Sequence, residues 1–210
     1  MNTIWTFGDS LTCGFSDSHK WSKKYIEWKG YQPKVYGEFL SERLDYNLEN
    51  CGINGADNST IFEMFCKKIN QIKNDDVIIF GWSEPVRFRI INQFDKWKTA
   101  IPNFKDSYLN IDNISVSTIE EIMVNRDHKL VTDEINNWIN LINFSLKDNT
   151  IIHWTSFNKN INSFYYQTTE TIKNETDGLI DDLHFSEDGQ KHLSNIIENL
   201  IRGKKEKNII

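Results

Sequence analysis

Four short runs rich in β-branched and aromatic residues punctuate the chain: Thr3–Phe7, Tyr46–Ile53, Asp76–Trp82 and Thr150–Phe157. Between them the apolar positions change period. Val35, Phe39, Leu40 and Leu44 recur at helical spacing after Pro33, and Ile61, Met64, Phe65 and Ile69 do the same after the cap-like Asn58–Thr60. Alternation of strand and helix predicts right-handed crossovers and a parallel sheet covered on both faces, a three-layer α/β/α sandwich. A helix over Val131–Leu146 carries Ile135, Trp138, Ile139, Ile142 and Leu146 on one stripe, and another starts near Ser186 and buries Leu193, Ile196, Ile197 and Leu200. Residues 84–127 break the rhythm. There "RFRIINQFDKWKTAIPN" alternates around a polar turn near Gln93–Lys96, which predicts a β-hairpin insertion. Residues 203–210 have little to pack and are expected to fray.

No repeat, low-complexity tract or linker divides the 210 residues, so the expectation is one domain with a core that needs no staples. The three cysteines, Cys13, Cys51 and Cys66, have no metal-ligand spacing and read as free thiols in a reducing compartment. A net charge of −6, from 24 basic against 30 acidic residues, argues against nucleic acid as a partner. The first apolar stretch opens at Ile4, leaving no room for a charged leader, and apolar runs such as Val77–Phe80 fall far short of the roughly 20 residues of a membrane span. A cytoplasmic protein without a membrane partner is expected; the oligomeric state is not legible.

Chemistry first suggests itself at "TFGDSLTCG", Thr6–Gly14, where a strand runs into Gly-Asp-Ser. Such a turn either cradles a phosphate or exposes a nucleophile. A phosphate loop fails here: Gly8 and Gly14 are separated by five residues and Phe15 follows where a lysine is required. A nucleophile needs a base and a group to orient that base. "DDLHFS" near the other end supplies both, with Asp181 and His184 three residues apart on one turn and Asp181 the better placed of the two acids.

These residues resemble the SGNH/GDSL hydrolase family. "GDSLT" is similar to its nucleophile block, "DDLH" to its Asp-x-x-His block, and "NCGINGADN" to its second block, with Gly55 as the glycine. "IIFGWSE" occupies the place of Gly-x-Asn-Asp, with Ser83 where the family has asparagine and Glu84 at the acidic position after it. The resemblance implies a flavodoxin-like SGNH hydrolase fold with a central mostly parallel sheet, and a serine esterase that needs neither cofactor nor metal. It implies Ser10 as nucleophile, His184 as base, Asp181 as its orienter, and an oxyanion hole from Ser10, Gly55 and Ser83. The implied substrate is a small-molecule or carbohydrate ester carrying a small acyl group such as acetyl. The alternative is a non-catalytic binding module on the same fold, because the asparagine donor is missing.

Each residue also has a plainer reading. Ser10 can be an N-cap, Asp9 can bond within its own turn, and Gly55 can serve a positive φ. His153 in an apolar strand reads as a satisfied core side chain and Cys13 as a small buried hydrophobe. Trp21, Trp28 and Tyr31, in the segment between nucleophile and first predicted helix, are candidate substrate-binding aromatics; a partly packed loop is the competing reading of that segment.

Overall fold

A computed structural model describes residues 1–14, 20–91, 97–101, 115–180 and 184–207 of the chain, without the side chains of 20–22, 91–98 and 205–207. The expected turn at Gln93–Lys96 lies outside the described residues.

Strands β1 (Thr3–Gly8), β2 (Asn47–Asn50), β3 (Val77–Trp82), β6 (Thr150–Thr155) and β7 (Phe164–Tyr165) form one sheet in the order β2-β1-β3-β6-β7. Every pair is parallel. The β2 run bonds beyond its regular strand, since Cys51 N donates to Thr6 O and Ile53 N to Gly8 O, which carries it alongside β1 to the sheet's carboxyl edge. Strand β3 lies at the centre and all six of its residues are buried, as a strand covered on both faces requires. Asp76 fixes its entry: the buried carboxylate accepts from Thr3 N, Lys73 N and the Trp5 indole N–H, tying β1 to the start of β3.

The pleat divides the core in two. Ile4, Val77, Ile79, Ile152 and Trp154 pack with Tyr36 and Leu40 of α3 (Tyr36–Leu44) and with Leu193, Ile197 and Ile201 of α8 (Glu187–Lys207). Trp5, Phe7, Ile78, Phe80 and Trp82 meet Ile61 and Phe65 of α4 (Asn58–Lys68) and Ile135, Ile139 and Ile142 of α6 (His128–Ser145). This is the expected three-layer α/β/α sandwich. The hairpin is present too: β4 (Phe88–Ile91) pairs antiparallel with β5 (Trp97–Ala100). With α5 (Val116–Asn125) it buries a small cluster of its own, Ile90, Ala100 and Ile119.

Four local readings change. Asp57 caps α4 by accepting from Thr60 N, one residue before the expected cap at Asn58. Asp127 accepts from Lys129 N and Leu130 N, so α6 starts three residues before Val131. The segment read as a loop contains α2 (Lys20–Lys29), with Tyr25 fully buried against Ile172 and Ile180. The tail expected to fray from 203 instead continues α8 to Lys207, supported by burial of Ile201 and an i,i+4 pair of Arg202 with Glu198.

Candidate active site

The sheet order reverses between β1 and β3: the chain leaves β1 for β2 on one side and returns to β3 on the other. Open α/β sheets bind ligands in the crevice beyond the carboxyl ends of such a strand pair. Here those ends are Gly8 of β1 and Gly81-Trp82 of β3, with Gly8 and Gly81 partners in register, and the residues that follow are Asp9-Ser10 and Ser83. Both glycines are needed by close approach. A Cβ on Gly8 would fall 2.1 Å from Thr12 Oγ1, and one on Gly81 would fall 2.7 Å from both Thr12 Oγ1 and Trp154 Cζ2. The single turn α1 (Ser10–Cys13) therefore sits directly on the strand ends.

Asp9, not Ser10, is the N-cap of α1. Its Oδ1 accepts from Leu11 N at 3.0 Å, leaving Ser10 as the first helical residue, half-buried and with no capping duty. The second carboxylate oxygen of Asp9 accepts from two long-range partners, the Ser83 hydroxyl at 2.9 Å and Arg87 Nη1 at 3.0 Å. Ser83 is fully buried and its backbone is clamped by the Asn58 amide, which accepts from Ser83 N and donates to Ser83 O. A hydroxyl has one proton, and this one goes to Asp9. The side chain expected to donate to an oxyanion is thus directed here into the turn that holds the serine.

Gly55 occupies the Ile53–Ala56 turn, closed by Ala56 N donating to Ile53 O, with φ +73°. A Cβ there would meet only Ile101 Cδ1, at an ordinary 3.5 Å, so the left-handed backbone rather than crowding calls for glycine. Because β2 continues to Ile53 alongside Gly8, this turn stands beside the Asp9–Cys13 turn.

The C-terminal block is held by backbone pairing. His184 O accepts from Ile172 N at 2.9 Å, Phe185 bridges Thr171, and Ser186 N donates to Glu170 O. Ser186 then opens α8, accepting from Gln190 N and, on its hydroxyl, from Gly189 N. Gln190 joins this block to the serine turn: its Nε2 donates to Leu11 O at 3.0 Å and its Oε1 accepts from Tyr36 N. The segment that carries the half-buried His184 is thus tied, through Gln190, to the turn that carries the half-buried Ser10. Asp181 lies outside the described residues.

Helix α2 and Tyr31, just beyond its end, brace the histidine segment from both sides. The Tyr25 hydroxyl donates to Glu175 Oε2, Lys29 pairs with Glu175, and the Tyr31 hydroxyl donates to Glu187 Oε2. Trp28 and Tyr31 remain substantially exposed, and the Trp28 ring carries Lys29 Nζ 4.5 Å from its centroid. The Trp21 side chain lies outside the described residues. Cys13, facing Gly52 across a backbone contact that a Cβ on the glycine would close to 2.5 Å, has its thiol pushed up to about 11 by burial and then by Asp9. It is a protonated, packed thiol.

Arg87 and Gln190 carry no signal of this role in the sequence, and Asn58, expected as a helix cap, clamps Ser83 instead. Arg87 lay in what read as the start of a hairpin, and its reach back to Asp9 spans 78 positions. Nothing in local periodicity signals such a pair.

The profile of the GDSL-like lipase/acylhydrolase family matches residues 4–197. The chain belongs to this family. Its fold likeness extends to solved structures. One is a carbohydrate esterase whose active site displays divergent catalytic and non-catalytic binding functions, at TM-score 0.51 and 11% identity, covering 97% of this chain and 68% of that one. Another is the acetyl xylan esterase Est2A from the rumen bacterium Butyrivibrio proteoclasticus, at TM-score 0.51 and 10% identity, covering 97% of this chain and 64% of that one. At such identities the likeness is one of fold, and this member of the family spans about two thirds of those chains. No curated protein matches it in sequence. Among the described residues no helix is long and apolar enough to cross a membrane.

Proposed function

We propose that this member of the GDSL-like family is a serine esterase that removes a small acyl group, acetyl in the first instance, from an alcohol such as a carbohydrate hydroxyl. The observation that carries the reading is the division of labour at α1: Asp9 does the capping, so the Ser10 hydroxyl is released from that duty at the ligand-binding edge. His184 takes the Ser10 proton as the oxygen attacks the ester carbonyl, and returns it to the departing alcohol; Asp181 holds the imidazole in the required tautomer. Water then resolves the acyl-serine by the same proton route. The backbone N–H groups of Ser10 and Gly55 receive the oxyanion. No step calls for a cofactor or metal. Trp28 and Tyr31 offer exposed aromatic faces for a sugar ring, with Trp21 of the same helix as a third candidate.

One observation favours a second reading. With the Ser83 hydroxyl committed to Asp9, the third block supplies no side-chain donor, and loss of such a donor typically lowers turnover roughly 100- to 1000-fold. A binding module that keeps the pocket without turnover is the alternative, and the carbohydrate esterase with both catalytic and non-catalytic binding functions is a precedent on this fold. Fluorophosphonate labelling and p-nitrophenyl acetate hydrolysis separate the two. Labelling and turnover in wild type, both lost in Ser10→Ala and turnover lost in His184→Ala, support the esterase. Folded wild type that does neither, yet binds an acetylated oligosaccharide, supports the module.

A further inference from the structure

The carboxylate immediately before the candidate nucleophile is almost fully buried, at 2% exposed. It belongs to the residue next to the Ser10 amide that would hold the ester oxygen, and it bonds the amide of Leu11 in the same turn. An uncompensated charge so placed opposes the transition state, and interior electrostatics make the opposition large. Arg87 answers it. Its side chain is 10% exposed, Nη1 lies 3.0 Å from Asp9 Oδ2, and the same nitrogen reaches Ala56 O, the residue after Gly55, at 3.4 Å. The guanidinium carbon sits 5.4 Å from the centroid of the Phe157 ring, and the Arg87 carbonyl accepts from Arg126 Nη1, so both ends of the residue are fixed. Glu84 Oε2 stands 3.9 Å from Arg87 Nε, an ion pair beyond hydrogen-bond reach, and that buried Nε has no hydrogen-bond partner among the described residues. Asp9 is therefore the acid that the guanidinium meets at hydrogen-bond distance.

We propose that Arg87 is a positioning residue for the nucleophile turn, neutralising Asp9 so that the turn tolerates an oxyanion in a site without the asparagine donor. The proposal rests on the serine-esterase reading above. Arg87 acts through Asp9 and holds no substrate atom, so its importance depends on the aspartate keeping its charge.

The test is a charge-compensation cycle read by kcat and KM on p-nitrophenyl acetate and by the rate of fluorophosphonate labelling, with thermal melts as the check on folding. Arg87→Met is expected to lower kcat and labelling by about 10- to 100-fold with KM within about twofold, and Arg87→Lys to keep most of the rate. Asp9→Asn retains Oδ1 as the acceptor for Leu11 N, presents in place of Oδ2 an amide N–H that the Ser83 hydroxyl can accept, and carries no charge. In that background removing Arg87 is expected to change kcat by less than about threefold, a comparison that stands even if the single Arg87→Met variant fails to fold. An Arg87 effect that persists undiminished in the Asp9→Asn background overturns the proposal, as does wild-type kcat in a folded Arg87→Met. Wild type that neither labels nor hydrolyses ester removes the esterase reading and this proposal together; an active wild type indifferent to Arg87 removes this proposal alone.

Discussion

The Ser83 hydroxyl donates to Asp9 Oδ2 across 2.9 Å, joining the end of β3 to the cap of α1 over 74 positions of chain. The bond makes Ser83 a member of the scaffold under the serine. Ser83→Ala would leave a buried carboxylate oxygen with one donor fewer, a loss of about 1.5–3 kcal/mol for a hydrogen bond to a charged group. Urea denaturation is expected to show that loss. The fall in kcat should be well short of the roughly 100- to 1000-fold that follows removal of an oxyanion donor, and a drop of that full size in folded protein would return Ser83 to the oxyanion hole.

Gly81 faces a different constraint, since an added Cβ would meet Thr12 Oγ1 and Trp154 together. Neither neighbour is free to yield: Thr12 accepts from the buried Tyr36 hydroxyl, and Trp154 lies edge-on to the same ring. Gly81→Ala is expected to destabilise by about 1–3 kcal/mol and to shift α1 off the strand ends, so that ester turnover falls more than stability alone explains. Gly203→Ala is the contrast. It lies in α8 with no described atom outside its own helix backbone within 4 Å of the new methyl, and should stabilise by about 0.5–1 kcal/mol in the same denaturation experiment.

What the sequence made legible follows from where the information is local. Strands β1, β3 and β6 are runs of apolar residues buried on both faces, and the α6 and α8 stripes repeat at 3.6, so period alone identified them. The two-residue β7 is too short to have a period. Helix α2 had a signal, Trp21, Tyr25 and Trp28 at i, i+4 and i+7, which four interleaved lysines obscured. At the site, Gly8 and Ser10 are contiguous and readable, whereas the ion pair of Arg87 with Asp9 and the Asn58 clamp on Ser83 are tertiary facts. The substitution of asparagine by serine was visible; that the serine turns toward Asp9 depends on a carboxylate supplied by another strand end.

Cys13 lies three residues beyond Ser10 and invites confusion with a nucleophile. Its thiol, raised to about 11, is overwhelmingly protonated at neutral pH, and the thiolate is the reactive form. Iodoacetamide at pH 8 is expected to modify the exposed Cys66 well before Cys13, as peptide mapping by mass spectrometry would show. Cys13→Ala should leave ester turnover within about twofold; abolition of turnover with the fold intact would transfer the nucleophile's role from Ser10.

His153 offers a pH dependence that belongs to the core rather than the site. The ring lies between Trp82 and Asn143: the Trp82 indole N–H donates to Nδ1 at 3.2 Å, so the neutral imidazole carries its proton on Nε2 and donates to Asn143 Oδ1. Burial, and secondarily Lys204, lowers its pKa from 6.5 to about 3. Above 6.5 the ring is neutral in both folded and unfolded chains and favours neither. Between 6.5 and about 3 the unfolded chain binds a proton that the folded one refuses, so stability present above 6.5 is lost as the pH falls through that window. At 1.36 kcal/mol per unit, the loss from this group between pH 6.5 and pH 5 is about 2 kcal/mol. His153→Gln removes the titration while keeping polar atoms for both neighbours. Urea denaturation at pH 7.5 and pH 5 should therefore show a smaller acid loss in the variant than in wild type, by about 2 kcal/mol; equal losses would mean that His153 takes up its proton inside the folded core.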